Sequence, residues 1–252
     1  MVAGALLWGA RPQPDVKTII ERSVAANDKD FEAAPRFDYI EKDHDTKATK
    51  TFQVTMIDGS PYQRLLAVNG KPLSKAQAAE EIQKQEKERA ARRAQTAEQR
   101  NKRIAEYEKE RNRDHVMMAQ LSKAFGFKLA DARQVKKRTV WVLTATPRRD
   151  YRPPNMESQV LPGMQGEMWI DQETYEWEKV TAQVIRPVSI EGFLAQVQPG
   201  TRFEIEKIPV APGIWQISHF AMRSNAKVLH LVSKRSEEED WYYGFKPASS
   251  HP

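Results

Sequence analysis

Hydrophobic and polar residues alternate along much of this chain, a period that is typical of strands with one buried face. In the segment Thr49–Ile57, three apolar side chains, Phe52, Val54 and Met56, fall on one side. An Asp-Gly-Ser-Pro turn then leads into a return strand, Tyr62–Val68. The pattern predicts a β-hairpin with one face directed at a core.

The clearest hairpin is Met164–Val180, in which bulky residues flank the polar segment Asp171–Thr174. An Asp at the first turn position can accept hydrogen bonds from backbone N–H groups further along the turn. We therefore interpret Asp171 as a turn residue rather than a catalytic acid. The cross-strand pairs predicted for this hairpin are Ile170 with Tyr175 and Met168 with Trp177.

Two segments have helical spacing. Asp15 is a suitable N-cap for a helix whose apolar residues include Val16 and Ile19, and the helix is expected to end near Asn27–Asp28. Ser74 and Gln77 form a capping-box pattern, and no Gly or Pro follows until Gly126.

The second segment predicts a long helical insertion over residues 74–125, terminated by Gly126. Its final third is amphipathic and is expected to pack on the sheet. Its charged middle is expected either to project into solvent or to break into a helical pair.

From Val135 onward the sequence predicts β structure again, ending in a hairpin that turns at Ser224–Asn225 and a possible edge strand, DWYYGF, at residues 240–245. Strands that follow one another through hairpin-length links predict an antiparallel sheet. The absence of a clean linker favours a single domain over residues 15–246, followed by a disordered tail at 247–252.

The N-terminal stretch Val2–Ala10 is apolar and small, and the chain then becomes abruptly polar. We interpret residues 1–14 as a remnant of an export signal or as a disordered tail. No apolar run reaches the roughly 18–20 residues that a spanning helix needs, so no transmembrane span is expected.

Composition and charge exclude some classes of function. The chain has 252 residues, no cysteine and a formal net charge of +6. Without cysteine there can be no disulfide, thiolate metal site or cysteine nucleophile. The basic residues of the helical insertion alternate with glutamates, which indicates a solvated helix rather than a nucleic-acid surface.

No motif for a nucleophile elbow, a phosphate loop or a zinc-binding helix is present, so we expect neither an enzyme nor a cofactor. Glutamates that alternate with apolar residues are interpreted as the solvated side of strands; these are Glu167, Glu176, Glu178, Glu204 and Glu206. If the last hairpin turns at Ser224–Asn225, His219 lies opposite His230 and the pair becomes a metal candidate. We favour a polar patch, because closed metal sites need three or four ligands.

The order of elements resembles the outer-membrane lipoprotein-sorting carriers and their relatives, which include periplasmic regulators that sense misplaced lipoproteins. The residues that carry the resemblance are the early meander, VWVLTAT at residues 140–146 and the hairpin motif M-x-G-x-x-W-I-D-x-x-T. The resemblance implies an α+β fold: a strongly curved antiparallel sheet, or incomplete β-barrel, with helices on its concave side. The long charged insertion departs from the family.

By position, the resemblance implies an apolar cavity for acyl chains and supplies no catalytic residue. The candidate lining residues are Trp141, Met168, Ile170, Phe203, Phe220 and Leu229. We therefore expect an exported, periplasmic, non-enzymatic protein that binds a lipid or a lipidated protein and no nucleic acid. The alternatives are a regulator or scaffold that binds a protein partner through helix 74–125, and an envelope enzyme whose site the sequence does not reveal.

Overall fold

The computed structural model describes residues 14–190, 195–228 and 232–248. The helices are α1 (Val16–Ala33), α2 (Lys75–Arg93) and α3 (Ala97–Ala124). The strands are β1 (Phe37–His44), β2 (Thr49–Ile57), β3 (Ser60–Val68), β4 (Lys71–Pro72), β5 (Phe125–Val135), β6 (Arg138–Pro147), β7 (Met164–Asp171), β8 (Trp177–Val184), β9 (Val188–Ile190), β10 (Ala195–Val197), β11 (Arg202–Ala211), β12 (Ile214–Val228) and β13 (Val232–Pro247). Short 3₁₀ segments lie at Ala34–Arg36 and Glu157–Gly163.

All of these strands join one antiparallel sheet in the order β4-β3-β2-β1-β13-β12-β11-β8-β7-β6-β5. Strand β10 pairs with the far end of β12, and β9 pairs with β10. The two ends of the sheet do not meet, so the barrel is incomplete. The predicted fold class is confirmed: an α+β chain with an open antiparallel sheet, helices and a helical insertion.

Helix α1 packs on the face of the sheet that we call the inner face. The carboxylate of Asp15 accepts a hydrogen bond from the Thr18 N–H at 2.8 Å, as an N-cap does. Ile19 and Ile20 then enter the core. The strand residues of this core define the inner face: Trp141, Leu143, Met168, Ile170 and Trp177.

Helix α1 does not end at Asn27–Asp28 as predicted, but continues to Ala33. The reason lies in its last two turns, where Asp30 and Ala33 are both buried. Tertiary contacts extend the helix past two residues that have low helix propensity.

The insertion is a helical pair rather than one long helix. A second capping box, Thr96 with Gln99, starts α3 three residues after α2 ends. The corner between the helices is fixed to the β2–β3 turn by Arg92, which is 6% exposed. Its guanidinium donates to the carbonyl oxygens of Ile57 and Ser60 at 2.8 Å. The charged part of the insertion is therefore docked at this corner.

Three strand predictions were wrong in ways that matter for the site. The strand β5 begins directly after α3, at Phe125, whereas β structure was predicted only from Val135 onward. The hairpin turn at Ser224–Asn225 does not exist, because β12 runs on to Val228 and Ser224 pairs with Ser236. The segment predicted as an edge strand lies in β13, which is central and pairs with both β1 and β12.

The hairpin Met164–Val180 is present, but its register differs from the prediction. A bulge between Trp169 and Ile170 places Ile170 opposite Trp177 and Met168 opposite Val180. The role of Asp171 in the turn is as predicted, because its carboxylate accepts hydrogen bonds from the Glu173 and Thr174 N–H groups at 3.0 and 2.8 Å. The turn is longer than expected, and Tyr175 takes a positive φ of 64° to close it.

Candidate functional site

The inner face carries a continuous apolar row that crosses the middle of the sheet. Directly paired residues in neighbouring strands place their side chains on the same face, about 5 Å apart. Following these pairs outward from the core, the row is Leu143, Met168, Val180, Ile205 and Phe220. A parallel row runs from Ala145 through Gly166, Ala182, Phe203 and Met222.

Exposure changes along these rows. Leu143 and Met168 are buried beneath α1, whereas Ile205 and Phe220 in β11 and β12 are only half-buried. The middle of the inner face therefore presents apolar side chains that the described residues cover incompletely.

A small apolar cavity lies beside these rows, between the end of α3 and β6–β8. Its volume is about 40 Å³, and apolar atoms make up nearly all of its surface. Leu121, Phe127, Met168 and Val180 contribute to its wall. A cavity of this size is too small for an acyl chain, so the described conformation is a closed one on this side.

Gly166 is required where strands β7 and β8 approach each other closely. A Cβ atom at this position would lie 2.1 Å from the carbonyl oxygen of Thr181. Because such a contact is forbidden, only glycine allows β7 and β8 to pack as they do here.

The structure places the predicted cavity residues in three environments. Trp141, Met168 and Ile170 lie together in the core under α1, and Met168 also contributes to the small cavity. Phe203 packs against a second cluster that contains Ala124 and Leu161. Phe220 is half-buried in the apolar row, and Leu229 lies outside the described residues.

The opposite, outer face of the sheet carries an open groove of about 1050 Å³. Strand alternation turns its polar side chains away from the core. They include Lys128, Thr144, Glu167, Thr181, Arg202, Arg223 and Glu237. The groove is polar and of mixed charge, which does not suit an acyl chain.

His219 lies on the outer face, but its neighbours are not those predicted. It pairs with Trp241, not with His230, which lies outside the described residues. The prediction depended on the absent Ser224–Asn225 turn. Instead, strand β11 places two acids, Glu204 and Glu206, beside His219. Among the described residues, these three have ligand atoms that lie close enough together to hold a metal ion.

A lysine already occupies the position a cation would take in this trio. The Lys179 ammonium donates to Glu204 at 2.8 Å and to Glu206 at 2.9 Å. A metal ion would have to displace it. We therefore retain the interpretation of a polar patch on a partly solvated face.

A buried charged triad, which the sequence did not reveal, joins α1 to the sheet. The Lys207 ammonium contacts the carboxylates of Asp30 and Glu176, and the three side chains are no more than 4% exposed. Asp30 also accepts a hydrogen bond from the Trp215 N–H at 2.7 Å. Burial raises the pKa of Glu176 to about 7, and its hydrogen bond with Asp30 acts in the same direction. The expectation that Glu176 and Glu178 are solvated was wrong, because both are buried.

A second buried acidic pair, next to this triad, has its own cation. Arg138 donates to Glu178 at 3.0 Å and lies 3.6 Å from Asp171. Its guanidinium also stacks over the Trp215 ring at 4.6 Å. These clusters fix the β7–β8 turn, α1 and β11 relative to one another.

Comparisons with known proteins identify similar structures and no close relative. No family model and no curated protein matches the chain. A LolA superfamily protein from Nitrosomonas europaea is similar over 95% of this chain and 96% of its own, with 9% identity and a TM-score of 0.34.

Two further structures are similar at 9% identity. A DUF1329 family protein from Desulfovibrio piger covers 95% of this chain and 96% of its own, with a TM-score of 0.32. A putative outer membrane lipoprotein-sorting protein domain from Vibrio parahaemolyticus covers 92% and 94%, with a TM-score of 0.31. No helix of the described residues is both long and apolar enough to cross a membrane. The similar structures include members of the group that the sequence resembles.

Proposed function

We propose that this protein is a non-enzymatic protein of the cell envelope that binds acyl chains, or a protein that carries them, along the inner face of its sheet. The observation that carries the proposal is the half-buried apolar row through Val180, Ile205 and Phe220. Apolar surface that is left partly exposed within a fold is favourable to cover, by about 25 cal/mol for each Å² removed from water.

The arrangement of α3 explains why this row stays partly open. At its start, Ile104 lies against the β2–β3 turn, where a Cβ on Gly59 would be 2.9 Å from the Ile104 side chain. At its end, Leu121 and Ala124 pack against β6 and the segment Glu157–Gly163. The helix is therefore supported near both ends of the sheet, and the middle strands lie between these supports.

An acyl chain suits the row better than a polar ligand does. The side chains along it are apolar over the four strands β7, β8, β11 and β12. At about 4.8 Å between strands, these span roughly 14 Å, which is comparable to an extended chain of about a dozen carbons. Since the adjoining cavity is small, loading requires α1 or α3 to move outward.

The test is native mass spectrometry of the full chain for co-purified lipid, followed by a matched pair of variants. Ile205→Asn places an amide in the apolar row, whereas Ile217→Asn makes the same change at an exposed position of β12. We expect bound lipid in the wild type and in Ile217→Asn, and a loss of lipid in Ile205→Asn with circular dichroism unchanged. Absence of lipid from all three, together with no uptake of added fatty acid, would reject the proposal.

A regulatory role for the helical insertion stays a prediction, and we infer that α2 is the helix that a protein partner would contact. Helix α3 is docked, whereas most of α2 is exposed and Ile82 on its surface is 50% exposed. If α2 binds a protein partner, Ile82→Asp should weaken the complex and leave lipid binding unchanged.

A further inference from the structure

The apolar row of the inner face ends in a cluster of carboxylates. Phe220 pairs with Asp240 in β13, and Asp240 pairs with Asp43 in β1. Two acids that are directly opposed on one face of a sheet repel each other. Glu238 and Glu41 lie on the same face, two residues from Asp240 and Asp43 along their strands, and extend the cluster.

Asp240 is the most buried member of this cluster, at 7% exposure. One of its oxygens, Oδ2, accepts a bond from the Tyr242 hydroxyl at 3.3 Å. The other, Oδ1, is buried and has no hydrogen-bond partner. A buried acceptor that lacks a donor is costly, and it indicates where a donor from outside the chain would be stabilised.

The other carboxylate pairs described above each have a cation from within the chain. Lys207 forms ion pairs with Asp30 and Glu176, Arg138 with Asp171 and Glu178, and Lys179 with Glu204 and Glu206. Among the described residues, no lysine, arginine or histidine makes an ion pair with Asp43 or Asp240. This acidic cluster thus differs from the three carboxylate pairs just named, each of which has a cation.

The described basic side chains near this cluster make no ion pair with it. Lys50 pairs with Asp43 in register, but its side chain is exposed and makes no ion pair with the cluster. Lys42 of β1 stacks over Trp241 on the outer face at 4.4 Å. On α3, Arg111 is bound to Glu108 and to the carbonyl oxygen of Phe31.

We propose that Asp240 and Asp43 bind the primary ammonium group of an amphiphile whose acyl chain lies along the apolar row. This inference rests on the proposed function and specifies its ligand: a chain with a cationic head. The head group donates to Asp240 Oδ1 and reduces the repulsion within the opposed pair, as Lys207 does for Asp30 and Glu176. The chain continues from Phe220 toward Ile205 and Val180.

An ammonium fits these carboxylates better than a metal ion does. A metal ion needs three or more ligand atoms close together, and the described trio with that geometry is Glu204, Glu206 and His219 on the other face. An ammonium needs only two or three acceptors at hydrogen-bond distance. The directly opposed pair, Asp240 and Asp43, supplies two.

The charge of the site depends on pH near neutrality. Burial first, and then the neighbouring carboxylates Glu238, Asp43 and Glu41, together raise the pKa of Asp240 to about 7. The Tyr242 hydroxyl opposes this shift. Binding of a cationic head group should therefore strengthen as the pH rises from 6 to 8, while Asp240 loses its proton.

The experiment compares three ten-carbon amphiphiles below the concentration at which they form micelles: decylammonium, decanol and decanoate. Isothermal titration of the full chain at pH 8 should give the tightest binding for decylammonium, by about tenfold over decanol, since the charged group adds hydrogen bonds to carboxylates. Decanoate should bind most weakly. Asp240→Asn should remove the preference for decylammonium and leave decanol binding unchanged.

The control is Glu237→Gln, a change on the same strand at the exposed outer face, where Glu237 pairs with Arg223. It should keep the preference. If all three amphiphiles bind equally, or if Asp240→Asn retains the preference, the ammonium site is rejected while the proposed function stands. If none binds, both are rejected. A thermal stabilisation by Ca²⁺ or Mg²⁺ that Asp240→Asn abolishes would assign the cluster to a metal ion instead.

Discussion

Removal of Lys207 tests the argument that a buried triad fixes α1 to the sheet. We consider Lys207→Met, which keeps most of the side-chain volume and removes the ammonium. The change leaves Asp30 and Glu176 buried side by side without a cation. Both lie in the core, and Asp30 additionally holds the Trp215 N–H, so neither can move to solvent without disrupting α1.

The expected cost follows from burial. Breaking a buried ion pair by removing one partner costs about 3–5 kcal/mol, because an uncompensated charge stays behind. The matched control is Lys179→Met, which removes a lysine that also bridges two glutamates, but on the partly solvated outer face. Pairs of that kind contribute about 0–1 kcal/mol. The two variants should therefore differ by at least about 2 kcal/mol in the free energy of unfolding.

The stability of the wild-type protein should depend on pH, and Glu176 is one of the two buried carboxyl groups responsible, the other being Asp240. The pKa of Glu176 in the folded protein is about 7, above the ordinary value of 4.5. The folded state thus holds a proton that the unfolded state releases, so the stability due to this group is complete below about pH 4.5 and is lost as the pH rises through 7. A shift of this size corresponds to about 3 kcal/mol between the two limits.

Urea denaturation followed by tryptophan fluorescence at pH 5 and pH 8 measures both effects. Glu176→Gln should reduce the loss of stability between these pH values, since glutamine does not titrate; the loss that remains is due to Asp240, whose pKa is also raised to about 7. Lys207→Met should be more destabilising at pH 8 than at pH 5, where Glu176 is protonated. A Lys207→Met variant no less stable than Lys179→Met at pH 8 would refute the reasoning.

Three further substitutions test other parts of the fold. Arg92→Ala removes four guanidinium hydrogen bonds to the β2–β3 turn and should lower the free energy of unfolding, measured by urea denaturation, by about 2–4 kcal/mol. The same change at the exposed Arg93 should lower it by less than about 0.5 kcal/mol. Gly166→Ala should lower the melting temperature strongly, because its Cβ would lie 2.1 Å from the Thr181 carbonyl oxygen, whereas Gly70→Ala meets no atom and should cost only about 1 kcal/mol for its positive φ. Thr96→Ala should cost about 1 kcal/mol by removing the cap of α3, and equal stability of this variant and the wild type would contradict the capping argument.

The sequence predicted the fold class because its signals are local. Alternation between apolar and polar residues identifies strands, and the capping box at Ser74 is satisfied in the structure as it is in the pattern. The role of Asp171 was likewise readable, since an Asx turn is formed within four residues. Whether the insertion is one helix or a helical pair was left undecided, although the Thr96–Gln99 capping pattern that starts α3 is visible in the sequence.

The long-range pairings could not be read in the same way. Strand β13 inserts between β1 and β12, and a local pattern does not contain that information. This position of β13 determines the proposed ammonium site, because the pairing of β13 with β1 places Asp240 opposite Asp43. The misplaced turn at Ser224–Asn225 had a similar effect, since a change of hairpin centre alters every cross-strand partner of His219.

The buried acids were missed for a related reason. Glu176 and Glu178 follow the alternation of a solvated strand face, and burial becomes possible only because Lys207 and Arg138 arrive from other strands. Sequence periodicity indicates which side chains share a face. It does not show which distant cation will neutralise them, so a buried network of this kind is found only when the strands are assembled.

The helical insertion is better understood as part of the inner face than as an arm added to a carrier-like sheet. The corner Arg92 and the neighbouring Arg103 attach it to the β2–β3 turn, and α3 then extends roughly 42 Å, at 1.5 Å per residue, to the β5–β6 end of the sheet. On the way it contacts α1 through the stacking of His115 and Phe31 at 4.0 Å. A helix that is held at both ends of an open sheet leaves the central strands less covered than the ends. The half-buried row at β11 and β12 and the carboxylates beyond it lie in that central region, so the long helix, which departs from the family that the sequence resembles, is what shapes the proposed binding surface.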